Sequence, residues 1–126
     1  MRVVLADDQA WLRSAVRLLL EQLSNVETVG EAADEQHLRR LSTNEELDLV
    51  LLDWELPGLT CTVQQHALMR DLRKQHPHLQ IIVMSGRPES SRTDMAAGAN
   101  AFVSKADPPE QLLAALHKAQ QSFNIQ

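Results

Sequence analysis

Aromatic side chains are scarce in this chain, with two Trp, two Phe and no Tyr, so a core has to be built from Leu, Val, Ile and Ala. Cysteine is nearly absent as well: the lone Cys61 excludes an internal disulfide and fits a reducing compartment. Positive charge is in deficit, 12 Lys and Arg against 17 Asp and Glu for a formal charge of −5. No basic run or basic-aromatic stripe offsets that balance, which argues against direct nucleic-acid binding. Long apolar runs are missing too. The first is broken at Asp7 and Asp8, too early for a signal peptide, and none is long enough to span a bilayer. The expected location is cytoplasmic, with no membrane partner. The 126 residues are the size of one compact domain, with no repeats, low-complexity tract or internal linker.

What is present is a regular alternation. Four short runs, RVVLA, LDLVLL, LQIIVM and NAFVS, are nearly continuous in Val, Ile and Leu, as parallel strands covered on both faces should be. A weaker fifth, VETVGEA, lies between the first two. Helical patterns fill the gaps. Leu12, Ala15, Val16, Leu19, Leu20 and Leu23 form an apolar stripe, and a helix over 35–41 follows the cap residue Asp34. Further helices are expected over 63–75, stopped by Pro77, and over 90–97, ended by Gly98. The last has Asp107 as cap, Pro108 in its first turn and Glu110 at the capping-box position. Strand and helix alternating five times predict a doubly wound α/β fold: a five-stranded parallel sheet of order 2-1-3-4-5 with five helices on both faces.

In such a sheet the ligand sits at the carboxyl ends of the strands, beside the point where strand order reverses. Strand one ends in Asp7 and Asp8, strand three in Asp53, strand four in Ser85 and strand five in Lys105. Three carboxylates against one lysine leave about −2, which one divalent cation would neutralise. Oxygen-only ligands favour Mg²⁺ or Mn²⁺ over zinc. Plainer readings stand beside this one: Asp8 as cap of the first helix, and Asp53 as the start of the turn before Pro57 and Gly58.

The segments ADD, DWELPG, MSG and FVSK, each at the end of its strand, carry a family resemblance. The chain resembles the receiver domain of bacterial two-component response regulators, which share a flavodoxin-like fold with the chemotaxis receiver. Its flavour in LADDQAWLRSAV and AAGANAFVSKADPPEQLLAAL is most similar to receivers of LuxR-type DNA-binding regulators. The resemblance implies that Asp53 accepts a phosphoryl group from a sensor histidine kinase or phosphotransfer protein. It implies Mg²⁺ held by Asp8, by Asp7 through water, by Asp53 and by the Glu55 carbonyl. Lys105 and Ser85 would contact the phosphoryl oxygens, and Phe102 would be the aromatic switch that turns inward when Ser85 moves. The readout would appear on the surface of the fourth helix, fifth strand and fifth helix, with dimerisation on phosphorylation and control of transcription through an output domain. No such domain follows Gln126, so 1–126 is expected to be a single receiver, stand-alone or excised.

Some features depart from the pattern. Residues 59–65, LTCTVQQ, form an unusual loop or extra helical turn with Cys61 as a partly buried small residue, and Ala106 stands where Pro often follows the lysine. Trp54 is expected to pack, and HPH at 76–78 to be a solvated turn before strand four. Arg87 is placed to reach Glu55 across the site entrance. Competing readings are a small Mg²⁺-dependent phosphatase of the haloacid-dehalogenase type, which DDQ fits poorly, and a receiver-like module that binds a partner without phosphorylation. On the main reading the chain is a phosphoacceptor and not an enzyme.

Overall fold

The computed structural model describes residues 1–87 and 98–125. Its sheet has five parallel strands: β1 (Arg2–Ala6), β2 (Glu27–Ala32), β3 (Leu49–Asp53), β4 (Gln80–Ser85) and β5 (Ala101–Ser104). Their order is β2-β1-β3-β4-β5, as the alternation predicts. Every residue of β3 and β4 is buried, which explains why these two segments show no polar alternation. β2 lies at an edge, is only half-buried and carries a register shift opposite Val3 and Val4; its weak sequence signal follows from that position.

Four helices occur among the described residues: α1 (Ala10–Leu20), α2 (Glu35–Asn44), α3 (Thr62–Gln75) and α4 (Pro109–Ile125). The helix expected over 90–97 lies outside the described residues. The pleat sends alternate strand side chains to two cores. Val4, Val50, Leu52, Ile81 and Val83 pack with Leu38 of α2 and with Leu68, Met69 and Leu72 of α3. On the other face Val3, Leu5, Leu51, Ile82 and Met84 meet Val16 and Leu20 of α1 and Leu112 and Leu116 of α4.

The helix starts correct two details. Asp34 caps α2 as expected, its carboxylate accepting from the His37 N–H at 2.8 Å. Asp107, however, does not cap α4: its carboxylate accepts from the Ser104 N–H at 3.0 Å, and the helix begins at Pro109 instead of Pro108. Holding the turn after β5 is the competing use of that side chain. The segment 59–65 is both a turn and extra helix. Leu59 is buried, the Gln64 side-chain oxygen accepts from Thr60 N and Oγ1 at 2.7 Å each, and α3 starts at Thr62. Cys61, at the N-cap, is exposed and not partly buried. Gly58 adopts φ +101°, and its α-carbon passes so near Glu35 that a Cβ there would meet the Glu35 Cβ at 2.9 Å. The Glu35 N–H donates to the Pro57 carbonyl at 2.9 Å, tying the turn after β3 to α2.

Candidate functional site

Strand registers and three main-chain bonds bring the sequence-predicted residues to one rim. Ala6 pairs with Leu52, Asp53 with Met84, and Ser85 with Ser104. Beyond the ladders, Asp7 N–H donates to Ala32 O at 2.9 Å, Trp54 N–H to Met84 O at 2.8 Å and Lys105 N–H to Ser85 O at 2.8 Å. Asp7, Asp53, Ser85 and Lys105 are thus fixed by backbone before any side chain interacts.

The acids converge. One carboxylate oxygen from each of Asp7, Asp8 and Asp53 lies within 4.8 Å of the others. Asp7 and Asp53 are 6% and 2% exposed, so two like charges are held out of water, whereas Asp8 is exposed. Lys105 compensates them. Its ammonium lies 2.9 Å from Asp7 Oδ2 and 3.3 Å from Asp53 Oδ1, and donates to Gln9 Oε1 at 3.1 Å. Asp7 Oδ1 also accepts the Gln9 N–H at 2.8 Å, and Asp53 Oδ1 the Glu55 N–H at 3.0 Å.

Compensation is incomplete at Asp53. Burial first, and the Asp7 charge second, push its carboxyl up to about 6, while the Glu55 N–H and Lys105 pull the other way. Burial alone would lower the Lys105 ammonium, but its hydrogen bond to Asp7 and the charges of Asp53 and Asp7 raise it overall. A group of three carboxylates whose central member resists ionisation, with donors that are all oxygen, fits a hard divalent cation. Asp8, exposed and not at the helix N-cap (Gln9 occupies it), is free of the capping role that the plainer reading assigned it.

On the far side of the rim Ser85 is fully buried and donates its hydroxyl hydrogen to Glu55 Oε2 at 2.8 Å. Glu55 Oε1 accepts the Gly86 N–H at 3.0 Å. The Glu55 carboxylate therefore takes the strand-four end, and no ion pair joins it to Arg87 among the described residues, contrary to expectation. Arg87 contributes its N–H, which donates to Ser85 Oγ at 3.0 Å. The Lys105–Ala106 bond is trans. Trp54 is 3% exposed in the core and His66 lies near it, ring centroids 6.4 Å apart.

The model of the response regulator receiver domain matches residues 3–117. This chain belongs to that family. The receiver is 31% identical over 119 residues to the nitrate/nitrite response regulator protein NarL of Escherichia coli (strain K12), covering 93% of this chain and 53% of that protein. It is 25% identical over 118 residues to the response regulator UvrY of the same strain, covering 92% and 52%. Among solved structures it superposes with a TM-score of 0.81 and 25% identity on RcsB from Salmonella enterica serovar Typhimurium, bound to promoter rprA in the presence of phosphomimetic BeF3-; 95% of this chain and 98% of that one are covered. The chain spans about half the length of the curated relatives it matches. It is a receiver domain of phosphorylation-dependent two-component signalling related to LuxR-type regulators, and the phosphatase reading gives way to that.

Sequence reasoning missed two participants. Gln9 gives its side-chain oxygen to Lys105, and Gln65 of α3 donates to the Trp54 carbonyl at 2.8 Å, fixing the Trp54–Glu55 peptide. Only the place of Gln9 straight after the acid pair hinted at the first. For Gln65 there was no local signal, because the contact spans the irregular segment before α3.

Proposed function

We propose that Asp53 is the phosphoacceptor of this receiver and that its donor is a phosphohistidine on a sensor kinase or phosphotransfer protein. The observation that carries the reading is a buried carboxylate flanked by Asp7 and Lys105, with a carboxyl near 6 that is still mainly ionised at neutral pH. In the transfer, an Asp53 carboxylate oxygen bonds to phosphorus as the P–N bond to imidazole breaks. The imidazole leaves with the bonding pair and takes a proton from water. Lys105 holds Asp53 in place and then offers its charge to the arriving phosphoryl oxygens. Ser85 Oγ–H and Gly86 N–H supply donors from the opposite side, so the chain contributes positioning and charge, which is most of what phosphoryl transfer requires.

The carboxylates of Asp7, Asp8 and Asp53, with the Glu55 carbonyl, would hold Mg²⁺, or Mn²⁺ in its place. When bound, the ion neutralises charge that accumulates on the phosphoryl oxygens. Phe102, half-buried against the core shared with α2 and α3, is the proposed switch residue. The surface it changes would comprise β5, α4 and the helix expected from the sequence over 90–97, which lies outside the described residues, and transcription would be controlled through an output domain, with phosphorylated chains pairing. As a receiver served by a kinase or phosphotransfer protein, it would act in the cytoplasm. Separately, among the described residues no helix is long and apolar enough to cross a membrane. Residues 1–126 form the single receiver unit.

The test is incubation with Mg²⁺ and a small phosphodonor, then mass spectrometry of the intact chain and borohydride trapping before peptide mapping. One phosphoryl group on Asp53 is expected. Label on Asp7, Asp8 or a histidine, or none under conditions that label a related receiver, overturns the assignment and leaves the unphosphorylated interaction module.

A further inference from the structure

We infer that the Glu55 carboxylate is an internal stand-in for the phosphoryl group: in the unmodified receiver it occupies the Ser85 hydroxyl and the Gly86 N–H, and phosphorylation has to displace it. The inference rests on the phosphoacceptor reading of Asp53. Glu55 is joined to both sides of the site at once. Its N–H donates to Asp53 Oδ1 at 3.0 Å, while its two carboxylate oxygens take Ser85 Oγ–H at 2.8 Å and Gly86 N–H at 3.0 Å. Two donors, one hydroxyl and one amide, on two anionic oxygens form the arrangement a phosphoryl oxygen pair would adopt at that strand end.

The position explains why a glutamate is needed for it. Ser85 lies one residue past Met84, which pairs with Asp53, so the side chain two residues after Asp53 must bridge from the turn after β3 to the turn after β4. Glu reaches across that gap at ordinary hydrogen-bond lengths; aspartate, one methylene shorter, would not. The Ser85 hydroxyl has one hydrogen to donate, so Glu55 and a phosphoryl oxygen are alternatives for it. The consequence is a resting state held closed by an acid. Entry of the phosphoryl group expels a like charge from the same donors, and the released carboxylate swings towards solvent. Phosphorylation is thereby coupled to a displacement at the start of the segment after β4, where the signal is expected to leave the site.

The experiment separates the contact from simple charge. Wild type, Glu55→Ala, Glu55→Gln and Glu55→Asp are compared in two measurements. The first is amide exchange at Gly86 without phosphodonor: protected in wild type, and faster in Glu55→Ala and Glu55→Asp. The second is beryllofluoride affinity in Mg²⁺, followed by Trp54 fluorescence. Loss of one charged hydrogen-bond competitor predicts affinity higher by roughly tenfold in Glu55→Ala and in Glu55→Asp, with Glu55→Gln between these and wild type. If charge alone acts, Glu55→Asp will match wild type and Glu55→Gln will match Glu55→Ala, and the contact has no role. A wild type that binds beryllofluoride no more weakly than any variant, with Gly86 exchange unaltered, overturns the displacement while leaving Asp53 as acceptor. A wild type that takes up no beryllofluoride overturns the Asp53 reading itself, and the competition with it. Thermal melts of each variant establish that it is folded.

Discussion

Replacing Asp53 by Asn should stabilise the metal-free receiver, and by an amount that depends on pH in a calculable way. The Asp53 carboxyl is raised from 3.8 to about 6, first by burial and then by Asp7. Between those values the folded chain holds a proton that the unfolded chain has lost, so ionisation of Asp53 costs stability as pH rises through the folded value. One pKa unit corresponds to about 1.36 kcal/mol, which puts the cost near 3 kcal/mol at pH 7.5 and near 1 kcal/mol at pH 4.5. Asparagine carries no charge, but its two amide hydrogens need partners in a site that is 2% exposed, an offset of about 1 kcal/mol at every pH. The net gain is then about 2 kcal/mol at pH 7.5 and close to zero at pH 4.5. The assay is urea unfolding of both chains in chelator from pH 4.5 to 8, read by Trp fluorescence. The difference between the chains should widen by about 2 kcal/mol across pH 4.5 to 6.5 and stay flat above 7. Parallel curves would refute the claim that burial, with the Asp7 charge second, makes ionised Asp53 costly in the folded chain. So would a gain that shrinks as pH rises. Saturating Mg²⁺ should narrow the gap at pH 7.5, because the wild type gains binding energy that the Asp53→Asn variant lacks.

Mg²⁺ should quench or shift Trp54 fluorescence, since Trp54 follows Asp53 and is 3% exposed, with Trp11 (69% exposed) giving a constant background; Asp8→Ala should abolish the response, and one that survives moves the site elsewhere. Gly58→Ala should cost roughly 1–2 kcal/mol in chemical denaturation, because φ +101° disfavours a side chain and the new Cβ would press on Glu35; a cost near zero would mean the turn readjusts freely. Beryllofluoride should alter amide exchange at Ser85, Gly86 and β5, including Phe102, while α1 stays unchanged; changes confined to α1 and α2 would remove Phe102 from the switch.

The architecture was legible because its sequence signals are local and redundant. Four short runs without polar alternation read as strands covered on both faces, and with the weaker β2 segment they alternate with helices in a way that leaves few topologies, so the rim carrying Asp7, Asp53, Ser85 and Lys105 follows from strand ends alone. Side-chain destinations were less legible, for a physical reason. A carboxylate near several donors takes the partner that backbone geometry presents, and sequence spacing does not reveal which one is nearer. Asp107 stands where a cap belongs, yet turns back to Ser104. Glu55 could be placed opposite Arg87 by residue count, but a long exposed guanidinium ion pair in water is worth under about 1 kcal/mol. A hydroxyl and an amide already fixed by β4 cost less entropy to engage, and Ser85 is buried where an unmet donor would be expensive. The same comparison decides what an incoming phosphoryl group meets. On the displacement proposed above, its competitor at the strand-four end is a carboxylate held by ordered donors, while Arg87 is exposed and forms no ion pair with that carboxylate among the described residues.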